Sequence, residues 1–190
     1  MVGDEVGSSL KAVRGLTWAK KGITPVLEAQ FNWDKLSIIG GMTPEGRVLH
    51  NTYPHSIKSV QVVAFLKHLL THLEGPVVLL LDGARIHHAK VVKAFLATSV
   101  GQRITLYHFP GYAPECNPIE WLWAWVKTQF IANLCPKNLT QLKAAWSRAF
   151  AQFRNRPELA QAFFDASTLP DFISLCRRQQ IRACSKWDLN

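Results

Sequence analysis

The chain has 190 residues, of which 48% are hydrophobic, and 22 Lys and Arg against 13 Asp and Glu give it a formal net charge of +9. This length and composition suit one folded domain, or one domain with a small appendage, and exclude disorder as the default. The charge favours a polyanionic partner such as nucleic acid, although a basic protein without that role remains an alternative.

The first third of the chain is predicted to be rich in β-structure. Four short apolar segments separated by Gly, Pro, Asn and Asp favour an antiparallel meander. Thr43-Pro44-Glu45-Gly46 is typical of a turn. The segments are Leu16–Ala19, Ile23–Phe31, Leu36–Met42 and Gly46–Tyr53.

The next part predicts a β-α-β unit. Apolar residues recur every three or four positions from Ile57 to Leu73, which indicates an amphipathic helix that Gly75-Pro76 ends. Val77–Leu81 is an uninterrupted apolar run, which favours a strand buried on both faces of a sheet. A second helix around Ala89–Leu96 and a strand at Ile104–Phe109 complete a right-handed crossover.

The C-terminal part is predicted to be helical after a loop with three prolines. We expect a long helix over Pro118–Leu134, in which Trp123 faces the core. Trp121 and Trp125 share another face, where they stack on bases or, as we expect, pack on the later helices. Those helices are predicted at Asn138–Phe153 and Pro157–Phe164.

The stretch from Arg148 to Lys186 is strongly basic, and it either follows a nucleic-acid backbone or forms a solvated helix face. Its seven basic residues are Arg148, Arg154, Arg156, Arg177, Arg178, Arg182 and Lys186, against the acids Glu158, Asp165 and Asp171.

The cysteines indicate neither a zinc site nor a disulfide framework, because they form no Cys-x-x-Cys pair and their gaps are irregular. They are Cys116, Cys135, Cys176 and Cys184. Free thiols fit a reducing cytoplasm, which is the localisation we expect. Met1–Lys11 lacks the apolar segment of a signal peptide, and Val77–Leu81 is too short to cross a bilayer, so we expect no membrane association.

Two carboxylates stand at positions where sites form. Asp82 follows the apolar strand, and sites in open α/β sheets lie outside the carboxyl ends of strands, but Asp82-Gly83 is equally a simple turn. Glu120 lies in the first turn of the long helix. The structural alternative is a capping box in which Asn117 is the N-cap, Pro118 the first helical residue and Glu120 the third.

A third pair of carboxylates, Asp4 and Glu5, follows only three residues and by position alone favours a solvated terminus. Three converging carboxylates would suit phosphodiester cleavage, because in-line displacement needs charge stabilised on both the attacking and leaving oxygens. Two Mg²⁺ ions do this, and such hard cations require oxygen ligands.

Two motifs carry a resemblance to a known family. The runs are Leu79-Leu80-Leu81-Asp82-Gly83-Ala84-Arg85-Ile86-His87 and His108-Phe109-Pro110-Gly111-Tyr112-Ala113-Pro114-Glu115-Cys116-Asn117-Pro118-Ile119-Glu120, followed by Trp123 and Lys127. They closely resemble the DDE transposases of bacterial insertion sequences related to the mariner elements. In that family an Asp ends a strand, often before Asn-x-x-x-His, and a loop ending in Asn-Pro-Ile-Glu supplies the last carboxylate. Asp4-Glu5 and the segment Arg14–Val26 resemble the family's first catalytic strand and the hairpin after it.

The resemblance covers roughly residues 4 to 135. It implies an α/β fold, an RNase H-like mixed sheet with antiparallel first strands and parallel later strands, flanked by helices. The implied catalytic and metal-binding residues are Asp4, Asp82 and Glu120, with two Mg²⁺ or Mn²⁺ ions. Glu5 would stand beside the first ligand, and Asn117 would position the turn that carries Glu120. His87 matches the family's His near the second Asp, where it contacts phosphate or only bonds backbone.

The function that the resemblance implies is DNA strand cleavage and strand transfer on transposon ends and target DNA, by a homo-oligomer. Residues 1–135 would form the catalytic domain and 136–190 a helical C-terminal extension. Gly83 stands where the family commonly has Asn and Cys116 where it has Leu, while Gly111 and Ala113 are milder departures.

The start of the chain suggests a truncated or split transposase. Because only Met1–Gly3 precede Asp4, we expect the first strand to be truncated and to lose most of its ladder partners. We expect another chain to supply the family's N-terminal helix-turn-helix region.

Two other functions remain open. One is a non-catalytic transposase remnant that binds DNA without sequence preference or pairs with a full-length transposase. The other is a different RNase H-like nuclease, such as one that cleaves RNA, which the loop before Glu120 disfavours.

Overall fold

A five-stranded mixed sheet forms the centre of the part described by the computed structural model, which comprises residues 1–27, 33–110 and 114–167. Its strand order is β3-β2-β1-β4-β5, antiparallel from β1 to β3 and parallel from β1 through β4 to β5. The predicted antiparallel start and parallel end are therefore confirmed. The strands are β1 (Val2–Ser9), β2 (Lys35–Met42), β3 (Val48–Tyr53), β4 (Val77–Leu81) and β5 (Ile104–His108), and the helices are α1 (Ser59–His72), α2 (Lys90–Leu96), α3 (Pro118–Val126), α4 (Leu139–Arg154) and α5 (Pro157–Ala166).

The central strand β1 does not lose its ladder, so that expectation was wrong. All eight of its residues pair with β2, from Val2 opposite Met42 to Ser9 opposite Lys35, because β2 runs antiparallel along its whole length. On its other edge β1 is parallel to β4 with Val2 opposite Leu80. Asp4 stands two residues after Val2 in β1, and Asp82 stands two residues after Leu80, just beyond the end of β4.

The first two predicted strands were wrong. Leu16–Ala19 forms no strand, nor does the described part of the second segment, Ile23–Leu27. Residues 28–31 of that prediction lie outside the described residues. Leu16 and Trp18 are fully exposed, and among the described residues no strand supplies the backbone partners that a ladder requires.

The sheet separates two hydrophobic clusters, and β4 contributes to both. Leu80 belongs to the cluster that includes Val6 and α3, whereas Leu79 and Leu81 belong to the cluster formed with α1. These three leucines are at most 4% exposed. Burial of each one is worth about 1.5–3 kcal/mol. The uninterrupted apolar run therefore predicted a doubly covered strand correctly.

The long predicted helix is shorter as a regular α-helix than expected. After Val126 it continues as one π-helical turn, Lys127–Ile131, and Asn133 then takes a positive φ of 61° that ends it. Trp123 is 1% exposed, as predicted for a core residue.

The two other tryptophans of α3 differ from each other. The ring of Trp125 packs 5.1 Å from Phe130 and 5.8 Å from Phe153, as expected, whereas Trp121 is 45% exposed. Packing therefore accounts for Trp125 better than for Trp121.

The helices α4 and α5 share the cluster on one face of the sheet with residues of β1 and β2. Among the described residues no helix has the length and apolar character needed to cross a membrane. Residues 168–190, which include Cys176, Cys184 and four of the basic residues noted above, lie outside the described residues.

Candidate active site

Asp4 lies buried in the central strand, not in a solvated terminus. It is 7% exposed, and its Oδ2 accepts a hydrogen bond of 3.1 Å from the indole Nε1–H of Trp123. Burial, followed by the negative charge of Glu120 and then that of Glu5, raises the pKa of Asp4 to about 8. The Asp4 carboxyl also lies within hydrogen-bonding reach of the Glu120 carboxylate. Asp4 and Glu120 therefore form a closely coupled carboxyl pair.

Glu120 is carried by the first turn of α3, as predicted. Asn117 is the N-cap, and its Oδ1 accepts from the Ile119 N–H at 3.4 Å. Its backbone N–H donates to the Pro114 carbonyl at 2.9 Å, whereas a capping box would direct that N–H to Glu120. The exposed Glu120 carboxylate faces Asp4 instead.

Asn117 also ties this helix to the central strand. It is 4% exposed, and its Nδ2 donates to the Gly3 carbonyl at 3.3 Å, one residue before Asp4. This bond joins positions 114 residues apart in the chain. It sets the distance between the start of α3 and the Asp4 backbone.

Asp82 follows β4 directly, and its carboxylate contacts a different group of residues. Oδ1 accepts from the Ala84 N–H at 3.0 Å and lies 2.9 Å from Nδ1 of His87. The other ring nitrogen of His87, Nε2, lies 2.7 Å from Oε1 of Glu5. Burial alone lowers the pKa of His87, but the hydrogen bond and charge of Glu5, together with Asp82, outweigh it and raise that pKa.

Two further histidines line this end of the sheet. His108, at the end of β5, donates from Nδ1 to the Asp82 carbonyl at 2.8 Å, and its ring lies 4.1 Å from that of His88. Burial lowers the pKa of His108, and the charges of His88 and His87 lower it further. The hydrogen bond from His108 fixes the backbone of Asp82 relative to the end of β5.

The predicted residues thus fall into two neighbouring groups, linked by Asp4 and Glu5 along β1. One group pairs Asp4 with Glu120, and the other joins Glu5, Asp82 and His87. Sequence reasoning assigned Trp123 to the core but missed its bond to Asp4, and it did not single out His108. Their signals were the position of Trp123, three residues after Glu120, and the position of His108 at the end of a predicted strand.

Comparison with known protein families gives one match. The model of a family described as DDE superfamily endonuclease matches residues 1–143. No curated protein sequence matches the chain.

Solved structures with the same fold are transposases. The mariner Mos1 paired-end complex with Mg has a TM-score of 0.67 at 15% identity, covering 94% of this chain and 54% of that one. The corresponding complex with Mn has a TM-score of 0.67 at 16% identity, again covering 94% of this chain and 54% of that one. The catalytic domain of the Mos1 mariner transposase has a TM-score of 0.53 at 11% sequence identity, covering 86% of this chain and 80% of that one.

At these identities the likeness establishes the fold, which is the RNase H-like mixed sheet expected from the sequence. The chain spans about half the length of the transposase chains in the paired-end complexes.

Proposed function

Because the chain belongs to the DDE superfamily endonuclease family, we propose that it is a transposase catalytic domain that cleaves DNA strands and joins them to target DNA with divalent cations. The observation that carries this proposal is that Asp4, on the central strand, is buried and lies beside the carboxylate of Glu120. Burial raises the pKa of Asp4 and the neighbouring charge of Glu120 raises it further, so a proton or a cation is favoured between the two carboxyls.

We assign Asp4, Asp82 and Glu120 as the residues that hold the cations, and Mg²⁺ or Mn²⁺ as the ions, two per site. The donor set fits, because all three offer carboxylate oxygens, the ligands that hard divalent cations prefer. When bound, such ions stabilise charge on the attacking and leaving oxygens of a phosphodiester. The solved complexes of the Mos1 transposase with Mg and with Mn support this choice of ions.

The remaining residues of the site act by positioning. Trp123 fixes the orientation of the Asp4 carboxyl through its indole N–H, and Asn117 fixes the start of α3 relative to Gly3. Both contacts come from side chains that are at most 4% exposed, so neither competes with water. Holding the carboxylates of separate elements in one geometry is the part of the catalysis that the protein itself supplies.

DNA is the partner that the surface charge supports. The helix α4 contains no Asp or Glu, and its cationic residues Lys143, Arg148 and Arg154 are all exposed. Burial lowers the pKa of the nearby His50 to about 4, and the positive charges of Arg154, His68 and Lys143 add to that shift. We therefore propose that DNA phosphates lie along this face, with binding that weakens steeply as salt is raised.

The assembly and the boundaries are further parts of the proposal. We propose that residues 1–135 form the catalytic domain, that 136–190 extend it, and that the chain works as a homo-oligomer on transposon ends and target DNA in the cytoplasm. The Mos1 paired-end complexes support an assembly of this kind.

The test is nicking of supercoiled plasmid DNA with Mg²⁺ or Mn²⁺ by the wild-type protein, Asp82→Asn and Glu120→Gln. Glu115→Gln is the matched control, because Glu115 is an exposed carboxylate in the loop just before α3. We expect nicking by the wild type and by the control only, since each site variant removes one anionic oxygen ligand while retaining the shape of the side chain.

Retained cleavage in either site variant would refute the assignment of that carboxylate. No nicking by a demonstrably folded wild-type protein would instead favour the non-catalytic remnant. Salt-dependent DNA binding without cleavage would then be the activity to measure.

A further inference from the structure

We propose that His87 positions Asp82 for cation binding and that Glu5 holds His87 in place, an inference that rests on the proposed function. The imidazole lies between two carboxylates, with Nε2 2.7 Å from Oε1 of Glu5 and Nδ1 2.9 Å from Oδ1 of Asp82. The His87 side chain is fully buried. This Glu5–His87–Asp82 bridge connects the central strand β1 to the segment that follows β4.

Glu5 can take this role because it lies on the opposite face of β1 from its neighbour. Successive side chains of a strand point to opposite faces of the sheet. Asp4 turns towards Trp123 of α3, whereas Glu5 turns towards His87. Two consecutive residues therefore have different roles: Asp4 is a proposed cation ligand, and Glu5 supports His87.

The same three residues could also be read as a metal site, and the ring geometry argues against that. Glu5, Asp82 and His87 offer ligand atoms that all lie within 4.8 Å of one another. The two nitrogens of an imidazole point in different directions, and here each faces a different carboxylate. A single ion would meet only one nitrogen and would break one of the two contacts. A bridging role for His87 therefore explains both of its carboxylate contacts, whereas a role as a metal ligand would explain only one.

Asp82 needs such support because the strand ladder ends before it. β4 ends at Leu81, and the Asp82 side chain is 47% exposed. His87 and His108 both contact the Asp82 carbonyl, and the Ala84 N–H donates to Oδ1. Nδ1 of His87 and the backbone N–H of Ala84 both contact Oδ1 of Asp82. We therefore assign the other carboxylate oxygen, Oδ2, to the cation. Without His87 the carboxylate would sample other rotamers.

The experiment compares His87→Asn with His87→Gln, because the Asn amide nitrogen overlies Nδ1 of histidine and the Gln amide nitrogen overlies Nε2. Calorimetric titration measures Mn²⁺ affinity, and plasmid nicking is followed at rising Mn²⁺ concentration. We expect His87→Gln to weaken Mn²⁺ binding about 10- to 100-fold, the usual effect of losing a partner that orients a metal ligand. Its nicking should recover as Mn²⁺ is raised.

His87→Asn keeps an N–H towards Asp82 and should stay within about threefold of the wild-type affinity. His55→Gln is the matched control and should behave as wild type, since His55 is an exposed histidine whose ring contacts are with Tyr53 and Ser56. Equal losses in the two His87 variants, or wild-type affinity in His87→Gln, would overturn the positioning role.

Failure of the proposed function is distinguishable from failure of the bridge. If the wild-type protein binds no Mn²⁺, the proposed function fails, and a double-mutant cycle on urea unfolding with Glu5→Ala and His87→Ala decides the bridge. A coupling of at least about threefold in the unfolding equilibrium constant would support it. Additive effects of the two substitutions would overturn it.

Discussion

Replacing Asp4 with asparagine isolates the electrostatic property on which the proposed site depends. Burial, with the charge of Glu120 next in size, raises the pKa of Asp4 from 3.8 to about 8 in the cation-free protein. Between those values the folded protein keeps a proton on Asp4 that the unfolded chain has released. Such a group contributes its stability in full below about pH 4 and loses it as the pH rises through about 8.

The magnitude follows from the size of that pKa difference. At about 1.4 kcal/mol per tenfold change in proton affinity, the loss across this range is at most roughly 6 kcal/mol. Asparagine has the shape and hydrogen-bonding groups of a protonated Asp4, so it can donate to Glu120 and accept from Trp123 without ionising. We therefore expect Asp4→Asn to match the wild type near pH 4 and to exceed its free energy of unfolding by roughly 3–5 kcal/mol near pH 8.

The assay is urea unfolding with a chelator present, followed by tryptophan fluorescence from about pH 4 to about pH 8. Titrating groups outside the coupled Asp4–Glu120 pair act on both proteins alike, so the difference between them isolates that pair. Glu115→Gln, which removes an exposed carboxylate, should track the wild type. A difference between Asp4→Asn and wild type that stays constant within about 1 kcal/mol over this range would refute the reasoning.

Three other substitutions test separate parts of the structure. Trp123→Phe removes the N–H that bonds to Asp4, so we expect about tenfold weaker Mn²⁺ binding by calorimetry, and an unchanged affinity would contradict a role for that bond. Gly40→Ala sets a Cβ 2.8 Å from the Trp123 ring and should lower the free energy of unfolding by about 1–3 kcal/mol in urea. Gly7→Ala, whose Cβ meets no atom within 4 Å, is its control and should change little. His50→Gln should flatten the acid side of the stability curve. A histidine whose folded-state pKa is about 4 keeps its stability contribution above about pH 6.5 and loses it as the pH falls towards 4, so an unchanged slope there would count against a buried neutral imidazole.

The parts of the site that the sequence predicted are those with a strong local signal. An uninterrupted apolar run followed by Asp82 indicated a covered strand with a carboxylate at its carboxyl end, and β4 has that structure. Asn117 and Pro118 indicated the start of a helix, which is where α3 begins. In both places the residues that decide the structure are neighbours in the chain.

Asp4 shows where local reasoning fails. The strand around it contains Gly, Asp and Ser, which have low β propensity, and it is held by pairing with the distant strand β2, in which Gly40 lies opposite Asp4. Position alone favoured a solvated terminus, and only the family resemblance indicated a strand. The bond between Glu5 and His87 joins residues 82 positions apart, and no local pattern predicts such a contact.

The error at Leu16–Ala19 has the opposite cause. Leu and Trp are apolar whether they face a core or solvent, so an apolar segment between turn residues indicated a strand. Leu16 and Trp18 are fully exposed and belong to none of the five strands of the sheet. No strand in the described part of the chain pairs with them, and the sequence of the segment does not contain that information.

The most direct test of the central claim is a crystal structure of the wild-type protein with Mn²⁺, using anomalous scattering to locate the ions. We predict anomalous density in contact with the carboxylates of Asp4, Asp82 and Glu120, with His87 still placed between Glu5 and Asp82. Density bound instead by the His87 imidazole and Glu5, with none at Asp4 and Glu120, would contradict the account.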